Sequence, residues 1–165
     1  MGWGFAAHRK IVDVAIQHVP EPLHEFFKHH RNWLVEHALD ADLRKHAVIG
    51  EAEKHYIDLD EFGFSEYDSM CLPPARWDEA IILYGEKCLR DRGIGPWNVA
   101  WQYQRLVEAF GSQNQRQILQ CAADLAHYVA DLHVPLHTSA NYDGAASGHK
   151  VIHAVWETQL PEAYM

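Results

Sequence analysis

The sequence predicts an all-α domain, and three observations carry that expectation. Apolar residues recur at three- and four-residue spacing through most of the chain. Prolines and glycines stand at the ends of those segments, where helices start and stop. No segment shows sustained strand alternation, a low-complexity tract or an internal repeat. A chain of 165 residues is long enough to bury a core as one domain.

The elements follow in order. Residues 5–18 place Ile11, Val12, Ala15 and Ile16 at helical spacing. Pro20 and Pro22 end that segment, and Pro22 suits the first turn of a second helix running to about Ala38. Its apolar stripe is Leu23, Phe26, Phe27, Trp33 and Leu34. Residues 40–73 are less regular. Pro74 is expected to open a helix that Gly93 closes, and Pro96 and Gly111 repeat the signature. Ser112 is expected to cap a long helix reaching about His133 and ended by Pro135. A final helix is expected over residues 149–160.

Composition narrows the function classes. Hydrophobic residues make up 48% and aromatics 12%, which argues against disorder. No run approaches the ~20 apolar residues of a membrane span. The opening Met-Gly-Trp-Gly-Phe lacks the basic and apolar regions of a signal peptide, so any leader is expected to be already removed. Cys71, Cys88 and Cys121 are odd in number and widely spaced, and read as small buried hydrophobes. The formal charge of −9, from 14 Lys+Arg against 23 Asp+Glu, should repel a phosphate backbone. Against that background, 13 histidines stand out, because histidine is the commonest metal ligand.

Three of them, with Asp131, fall in the otherwise apolar "HYVADLHVPLH", residues 127–137. Four residues apart on a helix is ~40° around the axis, so His127 and Asp131 project side by side. With Ala122 as the reference, Ile118, Leu125, Ala126 and Val129 form the expected core stripe, and the His/Asp pair lies well round the helix from it. "HAVWE" repeats the spacing in His153 and Glu157, with His149 one turn earlier, and His137 stands between the two pairs. The whole pattern is H-x3-D-x5-H-x15-H-x3-E. Its five imidazole and carboxylate ligands suit Zn²⁺. Upstream candidates are His8, Asp40, Asp42, His55, Asp58 and Asp60, each by itself more ordinary as a solvated or hydrogen-bonded polar residue. Trp3 and Tyr56 read as core on composition alone. His18, His24, His29, His30, His37 and His46 read as surface or supporting residues. "HEFFKH" is no zincin motif, because its histidines are five apart and so ~140° apart on a helix. Asp124, on the helix but outside the pattern, is expected to be a neutral control for substitutions.

The ordered set "WGFAAH", "DADLR", "HYID", "HYVADLHVPLH" and "HAVWE" resembles the superfamily of zinc-dependent phospholipases C and fungal single-strand-specific nucleases. The likeness runs from Trp3 to Glu157. It implies an all-α fold binding up to three zinc ions in a cleft between helices, in a secreted or periplasmic protein. His55, His127 and Asp131, with Asp42 beside them, would hold one zinc of a close pair. Asp131 would bridge to the other, held also by His8 and by the backbone of Trp3. His137, His153 and Glu157 would hold the third. The implied reaction is phosphodiester hydrolysis, with Asp42 and Asp131 catalytic and a hydroxide formed at the paired zincs attacking phosphorus.

Two departures accompany the likeness. The family uses a free amino-terminal tryptophan, whereas Met1 and Gly2 precede Trp3, and family members continue through further helices after the position of Glu157. Three zincs would change the formal charge from −9 to −3 and reconcile an acidic chain with an anionic substrate. Glu157 and the short His137–His153 gap look more like the phospholipases, the reading preferred here. The Trp3–His8 step and "HYID" look more like the nucleases, in which Tyr56 would stack a base. A metal-stabilised helical module without catalysis is the third reading. No protein partner is implied.

Overall fold

The computed structural model describes residues 3–63 and 72–164. Met1, Gly2 and Cys71 lie outside the described residues. Helices account for the fold, and no strand occurs among the described residues. The all-α expectation holds.

Helix α1, Phe5–His18, buries Ala7, His8, Val12 and Ile16 along one face. The helix expected from residue 22 to 38 is two: α2, Leu23–His29, and α3, Arg31–His37. They break at His30, whose ψ of 12° is not helical and whose N–H reaches back to Phe26 and Phe27. The irregular stretch holds α4, Asp40–Lys45, and two 3-10 turns, Ala52–His55 and Leu59–Phe62.

The next expected helix begins later than Pro74, as α5, Trp77–Tyr84, and restarts as α6, Glu86–Asp91. Gly85 separates the two at φ 77°, a left-handed value that glycine adopts without steric cost. Pro74 instead lends its carbonyl to the Trp97 indole N–H at 3.2 Å.

The long pair α7, Gly95–Gly111, and α8, Gln115–Asp131, pack closely along each other. Asn114, not Ser112, caps α8, accepting the Gln117 N–H at 3.2 Å. Ser112 closes α7 instead, its hydroxyl donating to the Ala109 carbonyl.

One core joins α1, α2, α3, α7 and α8 through Val12, Ile16, Phe27, Leu34, Ala109, Ile118, Leu119 and Ala123. A second joins Ile57, Phe62, Ala80, Leu89, Ile94 and Trp97. After α8 comes a 3-10 turn, Pro135–Thr138. The final helix starts at Ile152, three residues later than expected, as α9, Ile152–Ala154. It widens into a π turn over Val155–Gln159 and ends as α10, Leu160–Tyr164. Pro161 accounts for the distortion, because its ring crowds the carbonyl four residues back and it has no N–H to offer. That carbonyl belongs to Glu157, and it accepts the Gly4 N–H at 2.7 Å instead. Any Cβ on Gly4 would lie 2.9 Å from the same oxygen, so a glycine is needed for the chain start to approach the final helix.

Candidate metal centre

The polar face of α8 lies deeper than its pattern suggests. Of the expected core stripe, Ile118 is buried in the core, whereas Ala122, Leu125, Ala126 and Val129 are only half-buried. His127 and Asp131 are 0% exposed. The helix is packed on several sides, so its most polar turn ends in the interior.

Four elements converge there. His8 comes from α1, Asp42 from α4, His55 from the end of the 52–55 turn, and His127 and Asp131 from the last turns of α8. Asp131 is the hub. Its Oδ2 lies 2.7 Å from His55 Nδ1 and 3.3 Å from His127 Nε2, and its Oδ1 lies 3.3 Å from His8 Nε2. Asp42 closes the open side, with Oδ1 3.7 Å from His127 Nε2 and 3.9 Å from His55 Nδ1, and Oδ2 3.9 Å from His8 Nε2. The His8 and His127 rings stack at 3.9 Å. His127 Nδ1 donates to the Ala38 carbonyl at 2.8 Å, which fixes the tautomer and leaves Nε2 facing the carboxylates. These atoms make two overlapping groups that could hold metal ions: His8, His127 and Asp131; and Asp42, His55 and His127.

A further group consists of His137, His153 and Glu157, all buried. His153 Nε2 lies 2.6 Å and His137 Nε2 3.4 Å from Glu157 Oε1. His137 Nδ1 donates to the His55 carbonyl at 2.8 Å, and the Ile57 N–H returns a bond to the His137 carbonyl. The segment carrying a ligand of the first centre therefore also anchors one of the second. His149 lies outside this group, exposed in the turn before α9. The reason is the late helix start, which removes the helical register on which its alignment with His153 depended.

The donors fit a cation. Both Glu157 carboxylate oxygens, Asp131 Oδ1, both His8 nitrogens and His55 Nε2 are buried without a hydrogen bond. Unbonded polar atoms at such depth are costly. Several of them crowd within 3.4 Å of a partner without the geometry to bond it. One ligand atom from each residue lies within 4.8 Å of the others in its group, close enough to share an ion.

The titration behaviour agrees. Burial works against ionising Asp131, but the neighbouring His127, His55 and His8 imidazoles hold its pKa well below the ordinary carboxylate value. Burial likewise opposes charge on Asp42 and Glu157, and neighbouring His127 and Lys45, or His137 and His153, hold their pKa values low. Burial pushes His55 down to about 4 and lowers His8. Burial opposes charge on His127 as well, but Asp131 and Asp42 outweigh it and raise its pKa. Ionised carboxylates beside neutral His8 and His55 are the protonation states that metal ligation requires, and His127 must give up its proton to join them.

Beside both centres lies a cleft of about 280 Å³ whose wall includes Lys45, His55, Tyr56, Asp58, His137, Tyr142 and His153. Tyr56 lies on this wall. Gly93, at φ 89°, lets the following backbone pack against the Tyr56 carbonyl. Asp58 is raised to about 6 by burial and by Asp60 and Glu61. Asp60 braces the 135–140 turn, accepting the Ser139 hydroxyl at 2.7 Å and the Ala140 N–H at 3.1 Å.

Trp3 is placed next to the first centre by its indole, which donates to the Ala130 carbonyl at 2.9 Å. Asp40 lines depressions on the other side of α4. A fourth acidic group, Glu21, His24 and Glu25, faces solvent, and His24 spends Nδ1 on the Ile16 carbonyl. Lys45 and Tyr142 went unnoticed in the sequence. Lys45 carries a local signal, one turn after Asp42 and 3.0 Å from its Oδ1. Tyr142 carries none.

Comparison with known protein families, with curated proteins and with solved structures gives no match to this chain.

Proposed function

We propose that this protein is a zinc-dependent phosphodiester hydrolase of the phospholipase C type. The observation that carries the reading is the convergence of two buried imidazole–carboxylate centres beside a single cleft, with His55 from one and His137 and His153 from the other in its wall. Imidazole and carboxylate donors suit zinc. Three zincs against the carboxylates of Asp42, Asp131 and Glu157 would leave a positive pocket for a phosphodiester. Zinc held there would supply Lewis acidity toward phosphoryl oxygens and lower the pKa of water.

The chain's own residues do the rest. Asp42, ionised and partly exposed at the edge of the first centre, orients the attacking water and takes its proton. Asp131 holds three imidazoles in one arrangement. Lys45 adds a cation at the cleft wall. Tyr56, Tyr142 and Asp58 share that wall, and Asp58 and Tyr142 are near enough to influence the Tyr56 phenol. Two aromatic rings and an acid suit a quaternary ammonium head group. The same two rings support a second reading, single-strand nuclease activity, because any base can stack on them.

Turnover of phosphatidylcholine and of single-stranded DNA by the zinc-loaded protein tests the proposal. The expected result is release of phosphocholine with much slower cleavage of DNA, and Tyr56→Ala should raise KM for the lipid. The reverse ranking selects the nuclease reading. Full zinc occupancy with neither substrate cleaved leaves a metal-stabilised helical module.

No described helix is long and apolar enough to cross a membrane.

A further inference from the structure

Next to the first centre lies a half-buried polar network that holds no candidate ligand. Its middle is Glu51, 2% exposed. Glu51 Oε1 accepts from the Tyr128 hydroxyl and from Arg44 Nε at 3.2 Å, and Oε2 accepts from Lys54 Nζ at 2.6 Å. Arg44 goes on to donate to Asp124 Oδ1 at 2.9 Å and to the Tyr128 hydroxyl at 3.4 Å. Arg44 sits two residues after Asp42 on α4. Glu51 precedes the turn that ends in His55, and Tyr128 follows His127 on α8. The Tyr128 ring meets the His55 ring edge-on at 5.0 Å and the His127 ring at 5.7 Å.

We propose that Glu51 is a positioning residue for the paired metal centre, its carboxylate tying together the three elements that supply Asp42, His55, His127 and Asp131. Desolvating a carboxylate is costly, and a purely structural cross-link here could be made by apolar contacts. A charged acceptor shared by three donors fixes distances and angles as well as proximity. Outer-shell partners of this kind hold ligands in register. The final helix, with His153 and Glu157, has no member in the network, and His137 meets it only indirectly, through the His55 carbonyl, so that centre should depend on Glu51 far less.

This inference rests on the metal reading, and zinc affinity measured by competition with a chelating dye tests both separately. In a His153→Ala background, which leaves only the paired centre intact, Glu51→Ala should weaken zinc binding about 10- to 100-fold. In an Asp131→Ala background, which leaves the His137 centre, Glu51→Ala should weaken zinc binding far less, because only the bond between the His55 carbonyl and His137 Nδ1 links that centre to the network. Glu51→Gln keeps an acceptor for Tyr128 and Arg44 and should recover most of the loss. Tyr128→Phe, which deletes one hydroxyl, carries the same comparison should Glu51→Ala not fold. Equal weakening of both centres means general destabilisation and overturns the proposal, as does no weakening at all. Wild-type protein that takes up no zinc overturns the metal reading instead.

Discussion

Asp131→Asn should be the most damaging single substitution at the centre. The side chain keeps its shape but loses the charge that faces His8, His55 and His127 within 3.3 Å. A unit charge about 4 Å away is worth about 4 kcal/mol at an effective dielectric constant of 20. At about 1.4 kcal/mol per decade, that is a loss of about three orders of magnitude in affinity for an ion in this group. Asp131 reaches both overlapping ligand groups, so occupancy of both should fall together. His137→Ala, by contrast, should empty one site and spare the pair. A second effect is independent of metal. Burial opposes charge on His127, and Asp131 is the leading influence that raises its pKa. Breaking such a buried pair costs about 3–5 kcal/mol.

Zinc content by elemental analysis, denaturant unfolding and hydrolysis of a chromogenic phosphodiester read these effects separately. Asp124→Asn, the control the helix pattern recommends, is unsuitable, because Asp124 accepts from Arg44 and from Gln120 at 3.2 Å. Glu36→Gln, at an exposed position on α3, serves instead. Asp131→Asn protein with full zinc content and near-normal turnover would refute the hub assignment and the paired centre with it.

Zinc should bind at more than one ion per chain, since the two separated centres offer eight side chains between them. Ions present at about 1,000 times their Kd stabilise by about 4 kcal/mol, so chelation should lower Tm by on the order of 10 °C. An unchanged Tm with no zinc detected would end the metal reading. Zinc affinity should rise with pH, about tenfold per unit for each proton displaced, because His127 holds its proton above the ordinary imidazole range. A pH-independent affinity would contradict that proton inventory. Metal-free protein should lose stability as pH falls from about 6.5 toward 4. In that window the unfolded chain takes up a proton on His55 that the fold refuses, and His8 acts in the same direction. His127 acts oppositely, contributing stability at low pH and losing it as pH rises through its folded value. Denaturant titrations across the window decide the sign.

What was legible in the sequence follows the range of the interactions. His127 with Asp131, and His153 with Glu157, are neighbours by helical spacing alone, so each pair could be read locally. His8, Asp42 and His55 come from three other elements, and only the family resemblance proposed them as companions. The Glu51 network was invisible, because Tyr128 and Arg44 find their partners 77 and 80 residues away. Breaks at His30 and Gly85 were missed for a related reason. Apolar spacing continues across both, and a single residue's backbone angles decide where a helix ends.

The burial of the centre bears directly on what it is for. Charged forms of His8, His127 and Asp131 are costly to desolvate, and the fold leaves all three 0% exposed. Well-packed apolar side chains in the same space would often be neutral for stability or improve it. Aligning the groups more closely would also let them satisfy one another, yet Asp131 Oδ1 and both His8 nitrogens are left without hydrogen bonds. A fold selected for stability alone has no reason to keep such a cluster. A cation between the side chains removes both objections, because it compensates the carboxylates and occupies the lone pairs at once. The structural cost of the centre is therefore an argument that it binds an ion, one that stands apart from any family likeness.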